Sequence, residues 1–241
     1  MPPAARTVDA VKIYGEGDFA VRALDGVDFE VDQGAFTAIM GPSGSGKSTL
    51  MHCMAGLDDL TDGEVWIGDV DLGTLSDRQL TRLRRDRVGF VFQAYNLIPT
   101  LTGEENITLP LRIAGTEPDR EWFDQVVDIL GIRDRLTHRP TEMSGGQQQR
   151  VAAARALVSR PDIIFGDEPS GNLDSTSAAE LLGFLRRAVD EFDQTIVMVT
   201  HEPMAAAYAD RIVFLRDGRI VDELTDPTTE SVIDKVKELE T

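Results

Sequence analysis

Residues 41–49 read Gly41-Pro42-Ser43-Gly44-Ser45-Gly46-Lys47-Ser48-Thr49 and fit the phosphate-binding pattern G-x-x-x-x-G-K-[ST] at every fixed position. The flanks carry as much information as the loop. Phe36-Thr37-Ala38-Ile39-Met40 has the length and composition of a short buried strand, and Ser48-Thr49-Leu50-Met51-His52-Cys53-Met54-Ala55 reads as a helix ended by Gly56. Strand, glycine-rich turn and helix in that order predict a loop whose backbone N–H groups and helix N-terminus cradle phosphate oxygens. Gly41, Gly44 and Gly46 let the chain curl without a side chain in the way. Lys47 then supplies a point charge to the β- and γ-phosphates, and the Ser48 hydroxyl suits a Mg²⁺ ion bridging them. This stretch implies binding of a nucleoside triphosphate.

The 241 residues are 41% hydrophobic and 27% charged, ordinary for a globular chain with room for a substantial core. The longest apolar runs, such as Ile196-Val197-Met198-Val199, are far too short to span a bilayer, and the N-terminus lacks the basic-then-apolar order of a signal peptide. A cytoplasmic chain is expected. Cys53 is the only cysteine, which excludes an intrachain disulfide; on an apolar helix it reads as a buried thiol. Lys plus Arg number 24 against 42 Asp plus Glu, a net charge of -18 that repels nucleic acid and anionic lipid alike. No nucleic-acid partner and no direct membrane insertion are expected, so attachment to a membrane should run through a protein. Residues 78–87 hold five arginines and read as a solvated helix face rather than a docking patch.

Along the chain, residues 8–40 carry a β pattern. Val27, Phe29 and Val31 alternate with Asp28, Glu30 and Asp32, the period of a half-exposed strand, and Tyr14 stands at a strand end beside Gly15-Glu16-Gly17. Gly63–Gly68 suggests another strand, and Val88-Gly89-Phe90-Val91-Phe92-Gln93 a buried one that stops at a polar amide. Residues 94–158 then look like a helical insert: Asp119 precedes a helix with Trp122, Val126, Ile129 and Leu130 on one face. At the end of the insert, Met143-Ser144-Gly145-Gly146-Gln147-Gln148-Gln149-Arg150 opens an alanine-rich helix, a second anion-binding N-terminus.

Ile163-Ile164-Phe165-Gly166-Asp167-Glu168 is an apolar strand ending in two carboxylates. An aspartate at such a tip near the phosphate loop suits the Mg²⁺ shell, and its neighbour can polarise a water. Thr195–Thr200 forms another parallel-type strand ending on His201, at the edge where open α/β sheets place their chemistry. His52 and His138 have no comparable setting and receive no role. Residues 211–221 read as a closing hairpin, and the tail from Pro227 as a surface helix with Val232, Val236 and Leu239 on one stripe.

Together these residues resemble the ATP-binding subunit of an ABC transporter over residues 8–224. The most specific marker is Ser144-Gly145-Gly146-Gln147, which matches the ABC signature. Tyr14 corresponds to the adenine-stacking aromatic, residues 41–49 to Walker A, Gln93 to the Q-loop, Asp167 and Glu168 to the end of Walker B, Gly171-Asn172-Leu173-Asp174 to the D-loop, and His201 to the switch histidine. Gly56-Leu57-Asp58, Val91-Phe92-Gln93, Glu105-Asn106 and Ser170-Gly171-Asn172-Leu173-Asp174 are similar to the branch containing the MacB and LolD ATPases. Met143, Ser170 and Gly103 depart from the commoner Leu, Thr and Ala or Val, and none of them removes a catalytic group.

The resemblance implies an α/β fold: a P-loop NTPase (RecA-like) core with an antiparallel β subdomain and an inserted α-helical subdomain. Residues 1–241 would form one ABC ATPase domain, with 1–93 and 159–225 the core, 94–158 the helical subdomain and 226–241 a tail helix. It further implies a nucleotide sandwiched between two copies of the chain, with ATP and Mg²⁺ as ligands. Lys47 and Ser48 act from one copy, Ser144, Gly145, Gly146 and Gln147 from the other, and Asp174 of the D-loop is a further nucleotide-binding residue. Glu168 would activate water, Asp167, Ser48 and Gln93 would serve the metal, and His201 the γ-phosphate. The partner would be an integral membrane permease of the MacB/LolD type, with the chain peripheral on the cytoplasmic face of the cell membrane. An FtsE-like or importer cassette remains an alternative. A non-transport ABC ATPase acting on nucleic acid or ribosomes fits poorly with one cassette, no heptad run and a charge of -18.

Overall fold

Burial on both faces sorts the strands. Phe36–Met40 and Ile196–Val199 are wholly enclosed and Ile163–Asp167 nearly so, the condition under which parallel strands form. The computed structural model describes residues 2–240; Met1 and Thr241, the outermost residues of the ranges expected from sequence, lie outside them. In chain order the strands are β1 (Ala5–Tyr14), β2 (Val21–Val31), β3 (Phe36–Met40), β4 (Asp62–Ile67), β5 (Val70–Asp71), β6 (Val88–Phe92), β7 (Ile163–Asp167), β8 (Ile196–Val199), β9 (Arg211–Arg216) and β10 (Arg219–Thr225). The helices are α1 (Lys47–Met54), α2 (Asp77–Arg87), α3 (Gly103–Ala114), α4 (Arg120–Ile129), α5 (Gly145–Leu157), α6 (Ser175–Phe192), α7 (Pro203–Ala206) and α8 (Thr229–Glu240).

Two sheets result. The larger runs β10-β9-β3-β8-β7-β6, with every neighbour parallel except the edge hairpin β9-β10; the smaller, β2-β1-β4-β5, is antiparallel. Alternation along β3 feeds two cores. Phe36, Ala38 and Met40 pack with residues of α5 and α6, while Ile39 faces α1 and the antiparallel sheet through Leu50, Met54 and Val27.

Two helices, α3 and α6, rest on local chemistry not used in the sequence analysis, and the expected tail helix gains tertiary contacts. Thr102 and Glu105 form a capping box at the start of α3, and the helix continues through Pro110. Its wholly buried Asn106 accepts from the Ile98 N–H and donates to the carbonyls of Ile98, Leu101 and Thr102, tying residues 98–102 to the helix. α6, 18 residues long, is capped by Asp174 and buries Leu181, Leu182, Leu185 and Val189. The tail helix α8 buries Val232 and is pinned by Lys235 to Asp222 at 3.0 Å and by Arg216 Nη1 donating to the Leu239 carbonyl at 2.7 Å. The apolar stripe read from the tail is a packing face: Val232 joins the main core and Val236 and Leu239 lie against it.

Candidate functional site

Parallel strands bring their carboxyl ends to one edge, and four of them end in polar residues there. β3 leads into residues 41–49, β6 into Gln93, β7 into Asp167 and Glu168, and β8 into Thr200 and His201. The backbone knits these ends together: Gln93 N–H donates to the Asp167 carbonyl at 3.0 Å and Glu168 N–H to that of Val199 at 2.9 Å. Side chains meet as well. Ser48 Oγ donates to Asp167 Oδ1 at 3.1 Å, and His201 Nδ1 lies 2.8 Å from Glu168 Oε1. Glu168 holds a left-handed φ of +50°, uncommon for a side chain of its type, and strain of this kind gathers at functional sites.

The loop itself is shaped by close approach. A Cβ at Gly41 would stand 2.0 Å from the Leu215 carbonyl oxygen, and Gly46 carries a φ of +101°, so neither position admits a larger residue without distortion. Ser43 and Gly44 are exposed on the crest, whereas Ser45 is buried with its Oγ lacking a hydrogen-bond partner. Lys47 is buried and donates to the Pro42 carbonyl at 2.8 Å. Burial draws its pKa below the usual lysine value, opposed by the nearby charges of Glu168 and Asp167. Such an ammonium group, held by one carbonyl in a cradle of N–H groups, is suited to receive an anion.

Ser48 and Asp167 set two hard oxygens side by side, the donor type that Mg²⁺ takes. Among the described residues no three His, Cys, Asp or Glu side chains gather into a metal cage. An ion at this pair would complete its shell from phosphate and water, as Mg²⁺ commonly does. His52, given no role from sequence, stands 3.6 Å from Asp167 Oδ2 through its Nε2. The available signal was spacing: His52 lies four residues beyond Ser48 on α1, hence on the same face.

Tyr14, at the end of β1, is partly exposed. Its hydroxyl donates to Asp58 Oδ2 at 2.6 Å, and Lys12, itself bonded to Asp58 at 2.5 Å, lies 4.9 Å from the ring centroid. Burial and the Asp58 carboxylate both push the phenol pKa up, with Thr49 opposing. The ring is thus fixed beside the end of the phosphate loop.

The second constellation forms around the N-terminus of α5. Ser144 Oγ accepts from the Gln147 N–H at 3.3 Å, and Gln147 Oε1 accepts from the Ser144 N–H at 2.9 Å, a reciprocal cap. Cβ atoms at Gly145 and Gly146 would stand 2.7 Å from Tyr95 Oη and Ser177 Oγ respectively, so this helix end packs on the segment after Gln93 and on the start of α6. Asp174 caps α6, accepting from Thr176 N–H and Ser177 N–H, each at 3.1 Å, and from Ser177 Oγ at 2.7 Å. Those hydrogen bonds, led by the one from Ser177 N–H, hold its carboxyl pKa down. Gln93 Nε2 donates to Asn172 Oδ1 at 3.2 Å, joining the β6 end to the turn that carries Asp174. The expected site residues therefore divide into a strand-edge group, with Lys47, Ser48, Asp167, Glu168 and His201, and a helix-tip group around Ser144.

Known proteins resemble this chain in sequence and in fold. The family model described as ABC transporter matches residues 24–171, more than half of the chain. The chain is 45% identical over 215 residues to the bacitracin export ATP-binding protein BceA of Halalkalibacterium halodurans, covering 88% of this chain and 85% of that one. It is 43% identical over 223 residues to the macrolide export ATP-binding/permease protein MacB of Marinobacter nauticus, covering 92% of this chain and 34% of that protein. Among solved structures it resembles the dimeric cassette MJ0796 of Methanocaldococcus jannaschii, with a TM-score of 0.83 at 39% identity over 93% of this chain and 99% of that one. A post-hydrolysis state of that cassette, bound to ADP and Pi, matches with a TM-score of 0.82. The chain belongs to the ABC transporter family, as an ATP-hydrolysing, ATP-binding subunit of its MacB-like branch.

Proposed function

We propose that this chain drives a separate MacB/LolD-type membrane permease by closing on ATP as a dimer of two copies and reopening after hydrolysis. The observation that carries this reading is the division of the site residues. Lys47, Ser48, Asp167 and Glu168 lie on the strand edge, whereas the side chains that Cβ atoms at Gly145 and Gly146 would meet are those of Tyr95 and Ser177. One chain so arranged carries two half-sites, and a triphosphate bound at the first has negative charge to offer the helix N-terminus of a second copy.

In this reading residues 41–49 wrap the phosphates, Lys47 leaves Pro42 for the γ-phosphate, and Tyr14 stacks on adenine. Ser48 and Asp167, with Gln93 beside them, would hold Mg²⁺, which would neutralise phosphate charge. Glu168 accepts a proton from the attacking water while His201, already on its carboxylate, bonds the γ-phosphate. Ser144, Gly145, Gly146 and Gln147 reach the same phosphate from the second copy, with Asp174 at the joint. Loss of the bridging charge then releases the two copies.

Residues 1–93 and 159–225 serve as the nucleotide-binding core, 94–158 as the helical arm that meets the permease, and 226–241 as a tail brace. A cleft of about 410 Å³ between core and arm supports the contact: Arg84, Arg85, Phe90 and Phe92 line it from the core and Asn96 and Arg155 from the arm, so part of the arginine-rich face read from sequence as merely solvated borders it. Among the described residues no helix is long and apolar enough to cross a membrane; in this reading the chain is held peripherally on the cytoplasmic face through the permease.

Affinity purification of the full chain from native membranes tests the reading. A permease with a large extracytoplasmic domain is the expected co-purifying protein. Recovery of an importer permease with its binding protein would overturn the MacB/LolD assignment.

A further inference from the structure

Gln149 is wholly buried in α5, and its side chain bonds neither nucleotide loop directly. Its Nε2 donates to two backbone carbonyls: Phe92 at 3.1 Å and Pro169 at 2.5 Å. These carbonyls sit at decisive places. Phe92 immediately precedes Gln93, and Pro169 immediately follows Glu168. The two strands concerned are adjacent, with Phe92 opposite Asp167 in the parallel register. One amide therefore fastens α5 to the backbone on either side of the proposed metal and water residues.

The same helix begins at Ser144, five residues earlier, about 7 Å along the axis at roughly 1.5 Å per residue. Between these points the chain is one continuous helical stretch from Gly145 on. Shifting the Ser144 end must carry Gln149 with it, and Gln149 must then drag both carbonyls or give up two hydrogen bonds in a dry site. Its Oε1 is buried without a hydrogen-bond partner, so only the two donor contacts fix the amide. An apolar side chain of equal length would avoid that orphaned acceptor, which points to the donors as the reason for an amide here.

We infer that Gln149 is a positioning residue that couples the two nucleotide sites of the dimer: it transmits the engagement of Ser144 with the nucleotide of the second copy to Gln93 and Glu168 of its own chain. The inference rests on the two-copy reading above. In that assembly Ser144 and Glu168 of one chain serve different nucleotides, so a rigid link between them makes hydrolysis at one site sensitive to occupancy of the other.

The test compares the full-length chain with Gln149→Met, which keeps the side-chain length and removes both donors. Steady-state ATPase rates against ATP concentration should give the unaltered chain a Hill coefficient above 1, with about 2 as the ceiling for two sites. Gln149→Met should bring it to about 1, while a fluorescent ATP analogue binds the variant monomer within about twofold of the unaltered affinity. A role in stability alone would lower the melting temperature and the maximal rate yet leave the Hill coefficient in place, and that outcome overturns the inference. Gln149→Leu repeats the comparison should the first variant fold poorly. Glu168→Gln separates the two levels of the argument: if it dimerises with ATP while Gln149→Met and Gln149→Leu stay cooperative, only the coupling fails, and if it never dimerises, the two-copy reading fails with it.

Discussion

His201 Nδ1 lies 2.8 Å from Glu168 Oε1 and 2.7 Å from Oε2, so a residue just beyond the end of β8 is seated on the carboxylate that follows β7. Neither side chain is held by its own strand. Glu168 already carries a left-handed φ, which turns its carboxylate out of the strand direction and toward the neighbouring strand end. In the proposed mechanism this pair is where the attacking water is polarised, one residue along the chain from the Asp167 that meets Ser48.

Replacing Glu168 by Gln keeps the shape and removes the proton acceptor. Hydrolysis should fall by about 10²–10⁴-fold, while ATP binding persists and a dimer accumulates with ATP and Mg²⁺. Size-exclusion chromatography coupled to light scattering reads the outcome; monomer alone, with binding retained, would count against the sandwich.

Lys47→Ala should abolish tight nucleotide binding without unfolding the chain. The ammonium is buried against a single carbonyl, so its removal relieves a desolvation cost in the free protein. The melting temperature without nucleotide should hold or rise, and the stabilisation normally added by ATP should vanish. Thermal shift with and without ATP distinguishes this from general damage.

Tyr14→Ala should weaken ATP binding by roughly tenfold, the low end of what base stacking on an aromatic ring is worth. Binding of inorganic tripolyphosphate, which has no base, should be unchanged. Asp58→Asn should give a smaller loss in the same direction, because Asp58 accepts from the Tyr14 hydroxyl and holds Lys12 near the ring. Equal losses for both ligands would show that Tyr14 serves the loop rather than the base.

Cys53 should resist alkylation in the folded state. Burial pushes its thiol from an ordinary 9.0 up to about 12, so the reactive thiolate is scarce at pH 8. Because the folded value is the higher one, the thiol's contribution to stability is complete below about pH 9 and is lost as pH rises toward 12. Iodoacetamide labelling at pH 8, followed by mass spectrometry, should modify the chain only in denaturant; rapid labelling of the native protein would refute the burial argument.

Much of this protein was written locally. Residues 41–49, the apolar strands, the Asp119 helix start and the Ser144 helix start each announce themselves within about ten residues, because turn chemistry, caps and periodicity are short-range properties. α3 was hidden by Pro110, and α6 attracted no notice because its information lies in a long amphipathic face rather than in a motif. Other facts were out of local reach altogether. Ser48 meets Asp167 across 119 positions, and Phe92 O and Pro169 O meet on Gln149; the i,i+4 spacing of Ser48 and His52 puts both on one face of α1 but does not say that Asp167 stands opposite. The sequence by itself determined which residues could hold a triphosphate and which family they resemble. Only the tertiary structure decided which of them touch, since strand order is settled by burying both faces of the parallel sheet, and that burial brings distant strand ends to one edge.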